Sequence, residues 1–133
     1  MGTGPDAGPS GALTPSPTPG QGPGWAKAAA AVAAQVPPAE IEAIHVFRPI
    51  KREGREWGTA VITRRHPEGR LQVFTVKYML IIRGKERGQS KVVVEEVGLS
   101  PEEVLQQVMQ TTAERSGEVE PPVALGPKAW YEG

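Results

Sequence analysis

In residues 71–83 every even position is large and apolar: Phe74, Val76, Tyr78, Leu80 and Ile82. Side chains on a strand alternate between faces, so this period of two predicts a long β-strand with one fully buried face. The odd positions, Leu71, Val73, Thr75, Lys77, Met79, Ile81 and Arg83, are mixed. A strand with apolar groups on both sides needs cover on both sides, so its sheet must lie between two layers.

The flanking segments predict three more strands, at 43–50, 57–65 and 90–97. In the first, Ile44, Val46 and Ile50 share one face and His45 and Phe47 the other. Pro49 has no N–H to donate, which suits an edge strand. Residues 51–56, 66–69 and 84–89 carry Gly54, Pro67-Gly69 and Gly84-Gly88, and read as hairpin loops. Ser100-Pro101-Glu102-Glu103 then opens a helix: serine at the N-cap, proline in the first turn, and a glutamate three residues on to close a capping box. Val104, Leu105, Val108, Met109 and Thr112 follow at helical spacing, and Gly117 is a natural stop. The expected fold is α+β, a four-stranded antiparallel meander followed by one helix, ββββα, over residues 39–116.

The ends read differently. Residues 1–24 carry six prolines and one large apolar side chain, Leu13, too little to offset the entropy of ordering, so a disordered leader is expected. Residues 25–38, with WAKAAAAVAAQ, predict a short alanine-rich helix or linker that has little to bury and ends at Pro37-Pro38. Residues 117–133 read as a flexible tail containing Trp130 and Tyr131. A domain this small buries only about 60% of its unfolded surface. One helix covers one face, so the other is left to the alanine-rich helix, a ligand or a second subunit. A homodimer is the favoured expectation, with a protein partner beside it.

Cysteine is absent, which excludes a disulfide framework and suits a reducing cytoplasm. No basic segment followed by an apolar core marks a signal peptide. Residues 26–36, with Lys27 among them, fall short of the ~20 apolar residues that span a membrane. A cytoplasmic protein without membrane contact is expected.

The formal charge is zero, but it is unevenly spread. Residues 45–91 hold twelve Lys and Arg against four Glu, a net of +8; residues 92–120 hold one Arg against seven Glu, a net of −6. The chain is a dipole, with a basic sheet and an acidic helix.

Catalysis finds no foothold. His45 and His66 stand in no metal-ligand spacing, and both read as ordinary strand and turn residues. The only aspartate is Asp6, and Ser100 is already explained as a cap. Glu95 and Glu96 are adjacent on a strand and point to opposite faces. Gly84-Lys85-Glu86-Arg87-Gly88 matches neither phosphate-binding glycine pattern. A non-enzyme without cofactor or metal is expected.

The basic residues fall at the hairpins: Lys51, Arg52 and Arg55 in the first, Arg64 and Arg65 before the second, Arg83, Lys85 and Arg87 in the third. Lys77 lies on the longest strand. Loops one and three share an end of a meander, so their cations can converge near Trp57 and Phe47. Positive charge beside aromatic platforms is how single-stranded nucleic acid is held, because phosphates need counter-charge and any base can stack. The ordinary function of such residues is to keep hairpin tips and edges soluble. The candidate contact set is Lys51, Arg52, Arg55, Trp57, Arg64, Arg65, Lys77, Arg83, Lys85 and Arg87, for single-stranded DNA or RNA. The alternative is a protein-interaction module or accessory subunit, using the leader, Trp130-Tyr131 and the spare apolar face.

The order ββββα, the basic hairpins and Val97-Gly98-Leu99-Ser100-Pro101-Glu102-Glu103 leading into a helix resemble the positive-cofactor-four family of transcriptional coactivators, over residues 44–112. That family forms dimers whose curved sheets bind single-stranded DNA, and its helix follows a similar Leu-Ser/Thr/Asn-x-Glu stretch. The resemblance therefore implies a dimeric single-stranded-DNA binder. The third strand lacks that family's basic, tryptophan-bearing pattern and the Gly-Lys-Gly-type turn, of which Gly84-Lys85 is a distant echo. No binding residue is carried over.

Overall fold

The structure, a computed structural model, describes residues 19–132; residues 1–18 of the expected leader and Gly133 lie outside it. Among the described residues six strands, β1 (Ile41–Val46), β2 (Ile50–Arg52), β3 (Arg55–Arg65), β4 (Leu71–Ile81), β5 (Ser90–Val97) and β6 (Val123–Leu125), form one sheet. Three α-helices accompany them: α1 (Pro23–Ala33), α2 (Pro101–Ser116) and α3 (Pro127–Glu132). The strand order is β5-β4-β3-β1-β6, all pairs antiparallel, with β2 also on β3. The α+β class and the antiparallel meander are as expected, but the sheet has six strands rather than four, and the helices number more than one.

The predicted strand at 43–50 splits in two. Val46 opposes Ala60 while Ile50 opposes Trp57, so four steps along one strand match three along the other. The extra residue falls at Arg48-Pro49, where proline cannot complete the ladder. A one-residue shift exchanges faces, so Ile50 sides with Trp57 and not with Ile44 and Val46. Pro49 marks this break: β1 before it lies between β3 and β6, whereas β2 after it pairs with β3 alone. The β2–β3 turn is the two residues Glu53-Gly54, with φ of 53° and 76°, the left-handed pair a tight hairpin demands.

The chain itself covers both faces. On the side of the even β4 positions, Trp25, Ala28, Ala29 and Val32 of α1 pack with Ile44, Ala60, Ile62, Phe74, Val76 and Tyr78. The 3–4 spacing of those α1 residues makes one stripe, and its alanines let the helix lie close to the sheet. The alanine-rich segment is therefore core, not linker, and it supplies the cover that a second subunit was expected to give. On the odd side, Val104 of α2 packs with Phe47, Val61 and Val73, backed by Val97, Leu105, Val108 and Met109. The capping box of α2 is as predicted: the Glu103 N–H donates to Ser100 Oγ at 3.3 Å, the Ser100 N–H donates to Glu103 Oε1 at 3.2 Å, and the helix ends at Gly117.

The tyrosine ring of β4 locks α1 in place. A Cβ added to Gly24 of α1 would stand 2.2 Å from the Tyr78 ring, and one added to Gly58 of β3 would stand 2.1 Å from it. The ring fills a slot that only two glycines leave open. Trp25 meets it edge-on, with centroids 4.9 Å apart and planes at 76°. Its hydroxyl donates to the Glu56 carboxylate. Burial first, then this hydrogen bond and the charge of Glu56, hold the Tyr78 proton far above the ordinary tyrosine range.

Residues 117–132 are folded, not a free tail. β6 pairs Leu125 with Ile44 and Val123 with Val46, and Trp130 is 3% exposed within the α1 core. A Cβ on Gly20 would run into Leu125 and Trp130, so the last leader residues pack against this C-terminal segment. The domain thus extends over 19–132 instead of 39–116. Val123, Leu125 and Trp130 are too sparse to show a period; Trp130, and Leu125 in part, find their burial only against distant parts of the chain, while Val123 stays exposed. No helix among the described residues is long and apolar enough to cross a membrane.

Gly58→Ala is expected to cost about 2 kcal/mol or more, as overpacking does, whereas Gly98→Ala, with nothing within 4 Å of its added Cβ, leaves stability nearly unchanged; urea unfolding of the two variants measures the difference. An alkaline effect follows too. The unfolded chain loses the Tyr78 proton near pH 10 while the folded chain keeps it. That stability is therefore complete below pH 10 and falls as pH rises above it. Tyr78→Phe is less stable at neutral pH but loses less stability between pH 9 and 12 in a denaturation series.

Candidate nucleic-acid interface

α2 covers only part of the odd face, because its apolar residues meet Phe47, Val61, Val73 and Val97 toward one end of the strands. Beside it lies a groove of about 320 Å³. Its floor is Trp57 and Thr59 of β3, Thr75 and Lys77 of β4 and Glu95 of β5, and its wall is Gln107, Thr111 and Arg115 of α2. Trp57 is half-buried and Lys77 exposed. Lys77 opposes Thr59, and Trp57 opposes Met79, so tryptophan and lysine are diagonal neighbours on one face, a spacing of about 7–8 Å that long side chains bridge. Arg55 stands two residues from Trp57 on the same strand and face.

The first and third hairpins meet, as the meander predicted. The Ile82 N–H donates to the Gly54 carbonyl at 2.8 Å, and Arg55, Arg83 and Lys85 line one depression with Glu53 and Glu86. Among the described residues, Arg55, Lys77, Arg83, Lys85 and Arg87 make no ion pair. These cations and Trp57 form the part of the predicted set that the fold leaves available.

The other four are committed elsewhere. Arg64 turns to the α1 side and pairs with Glu40, with Gln72 accepting a further bond at 3.2 Å. Arg65 forks onto Glu42 at the far end of β3 and donates to the Gly69 carbonyl, and Glu42 strengthens the hold on its proton. Lys51 lies on the α1 side with its Nζ 3.8 Å from Glu56. Arg52 donates to the Arg115 carbonyl at 2.8 Å, joining β2 to the end of α2. Phe47, expected as a stacking platform, is 2% exposed beneath α2 and cannot meet a base. The acidic helix does not lie on the far side of the sheet; α2 shares the groove's own face.

Two groove-lining cations, Arg48 and Arg115, escaped the sequence, as did Lys91, which lies on the same sheet face outside the groove's lining. Arg115 reaches the groove from α2 as the continuation of Val104, Val108 and Thr111, a stripe readable from helical spacing alone. Lys91 opposes Met79 on β5 and so shares the Trp57 face, which follows from pairing register and not from local pattern. Glu95, the one acid among the groove residues, bounds the positive surface on the β5 side. Most of the passage that carries the family resemblance is spent on capping α2, while its first residue, Val97, lines the groove. The chain matches no protein-family model, no curated protein and no solved structure.

Of the three tryptophans, Trp25 and Trp130 are 2% and 3% exposed, so Trp57 alone is open to solvent. Acrylamide is expected to quench a single fluorescence component, and Trp57→Phe to remove it; quenching that survives the substitution contradicts this arrangement.

Proposed function

We propose that this chain is a non-enzymatic single-stranded nucleic-acid-binding protein that uses the open half of the odd sheet face. The observation that carries the reading is the half-exposed Trp57 beside unpaired Lys77 and Arg55, with Arg83 and Lys85 at the adjoining hairpin. The indole offers a base a stacking surface, and the cations follow the phosphates on either side of it. Thr59, Thr75, Gln107 and Thr111 supply neutral hydrogen-bonding groups, which suits recognition that tolerates many sequences. Arg87 extends the positive rim. The resemblance to the positive-cofactor-four family points to DNA as the strand bound.

The alternative, a protein-interaction module, loses one of its anchors. Trp130 is buried in the α1 core, and the Tyr131 side chain lies outside the described ones. The spare apolar face it required, the odd side of β4, is covered only in part: Val73 packs under α2, while Leu71 is 43% exposed.

A fluorescently labelled oligonucleotide, titrated at rising salt, tests the proposal. Affinity is expected to fall steeply between low and moderate salt, with log K linear in log salt. Trp57→Ala weakens binding by about 1–3 kcal/mol, the usual contribution of a stacked base. Lys77→Ala lowers the salt slope by about one phosphate contact, while Glu40-paired Arg64→Gln leaves the slope unchanged. No binding at low salt sinks the proposal.

A further inference from the structure

The two ends of the sheet are finished differently. β6 is three residues long, bracketed by Pro121, Pro122 and Pro127, which cannot donate to an added strand. β5 runs for eight residues without glycine, proline or bulge, in unbroken register with β4 from Ser90 to Val97. Among the described residues no strand pairs with its outer side. Its sequence is Ser90-Lys91-Val92-Val93-Val94-Glu95-Glu96-Val97, with Val93 39% exposed.

We infer that β5 is a self-association edge, and that a second copy of this chain pairs with it antiparallel about a two-fold axis at Val93. Such an axis stands perpendicular to the sheet, so opposed residues lie on the same face and their numbers share parity. Centred on Val93, Lys91 of each copy opposes Glu95 of the other. Val93 opposes itself, and Val92 opposes Val94. Every charge on the groove face meets its opposite, and the three central valines meet valines, with Val97 falling opposite Gln89. Centring on Val92 sets Lys91 against Val93 and Ser90 against Val94. Centring on Val94 sets Glu95 against Val93 and Glu96 against Val92. Only the central register is self-complementary. The pairing makes a continuous sheet of both copies with the two open faces on one side, and it does not depend on the nucleic-acid reading.

The test is sedimentation equilibrium of the full chain over a concentration series, without nucleic acid. The native chain is expected to show a reversible monomer–dimer equilibrium. Lys91→Glu, or Glu95→Lys alone, places like charges opposite at two symmetric positions and raises the dimer dissociation constant about tenfold or more. Combining Lys91→Glu with Glu95→Lys restores opposite charges in every pair and returns the constant to within about threefold of native. That recovery also shows that neither substituted side chain is itself incompatible with the folded chain. A native chain that is monomeric throughout overturns the inference, as does a double variant as weak as the singles, which would leave the edge to a different partner strand or association to a different surface.

Discussion

The Tyr78 ring between Gly24 and Gly58 is the contact on which the rest of the architecture turns. Neither flanking position can carry a Cβ without displacing the ring, so α1 docks at one height and angle on the even face. Trp25 and the Glu56 carboxylate close the slot from the side and the end. With α1 seated there, α2 is confined to the odd face. Its apolar stripe packs on Val61 and Val73, and Val104 and Val108 face Trp57 and Lys77 across the groove. The open groove is what remains of the sheet after both helices have found their places. A packing constraint on one face thus positions the candidate interface on the other.

Charge pairing sharpens that surface. Summed over residues 45–91 the sheet carries a net of +8, yet the partners of its best-paired arginines lie just outside that window. Glu40 and Glu42 precede β1's midpoint and hold Arg64 and Arg65, while Glu120 meets Arg48 at 3.2 Å. These pairs tie the start of β1 and the C-terminal segment to the central strands. The cations without such partners collect at the opposite end, on the Trp57 face and the two touching hairpins. The uneven charge is real, but its useful part is smaller and more local than a segment sum implies, because ion pairs form across folded distance and not along the chain.

Some of this molecule was legible residue by residue. The alternation of residues 71–83, the valine-rich strand at 90–97 and the capped helix from Ser100 to Gly117 each depend on neighbours within a few positions, and each stands where local periodicity puts it. Loop convergence was legible too, since a meander with short hairpins admits one arrangement. Six members of the predicted contact set stayed available for the same reason: strand parity and hairpin position place them.

What local pattern could not supply is everything that depends on two distant segments meeting. The one-residue break at Arg48-Pro49 that turns Ile50 to the other face is visible only in its register with Trp57 and Ala60. The alanine-rich segment has a weak apolar stripe of its own and becomes core because Tyr78 offers it a slot. Val123, Leu125 and Trp130, isolated among prolines, acquire a role only against β1 and α1. Phe47, legible as an exposed aromatic on an alternating strand, is sealed by a helix more than fifty residues later. Periodicity reports which residues share a face of one element. Which face another element covers is decided by the shape and charge of surfaces that exist only once the chain has folded.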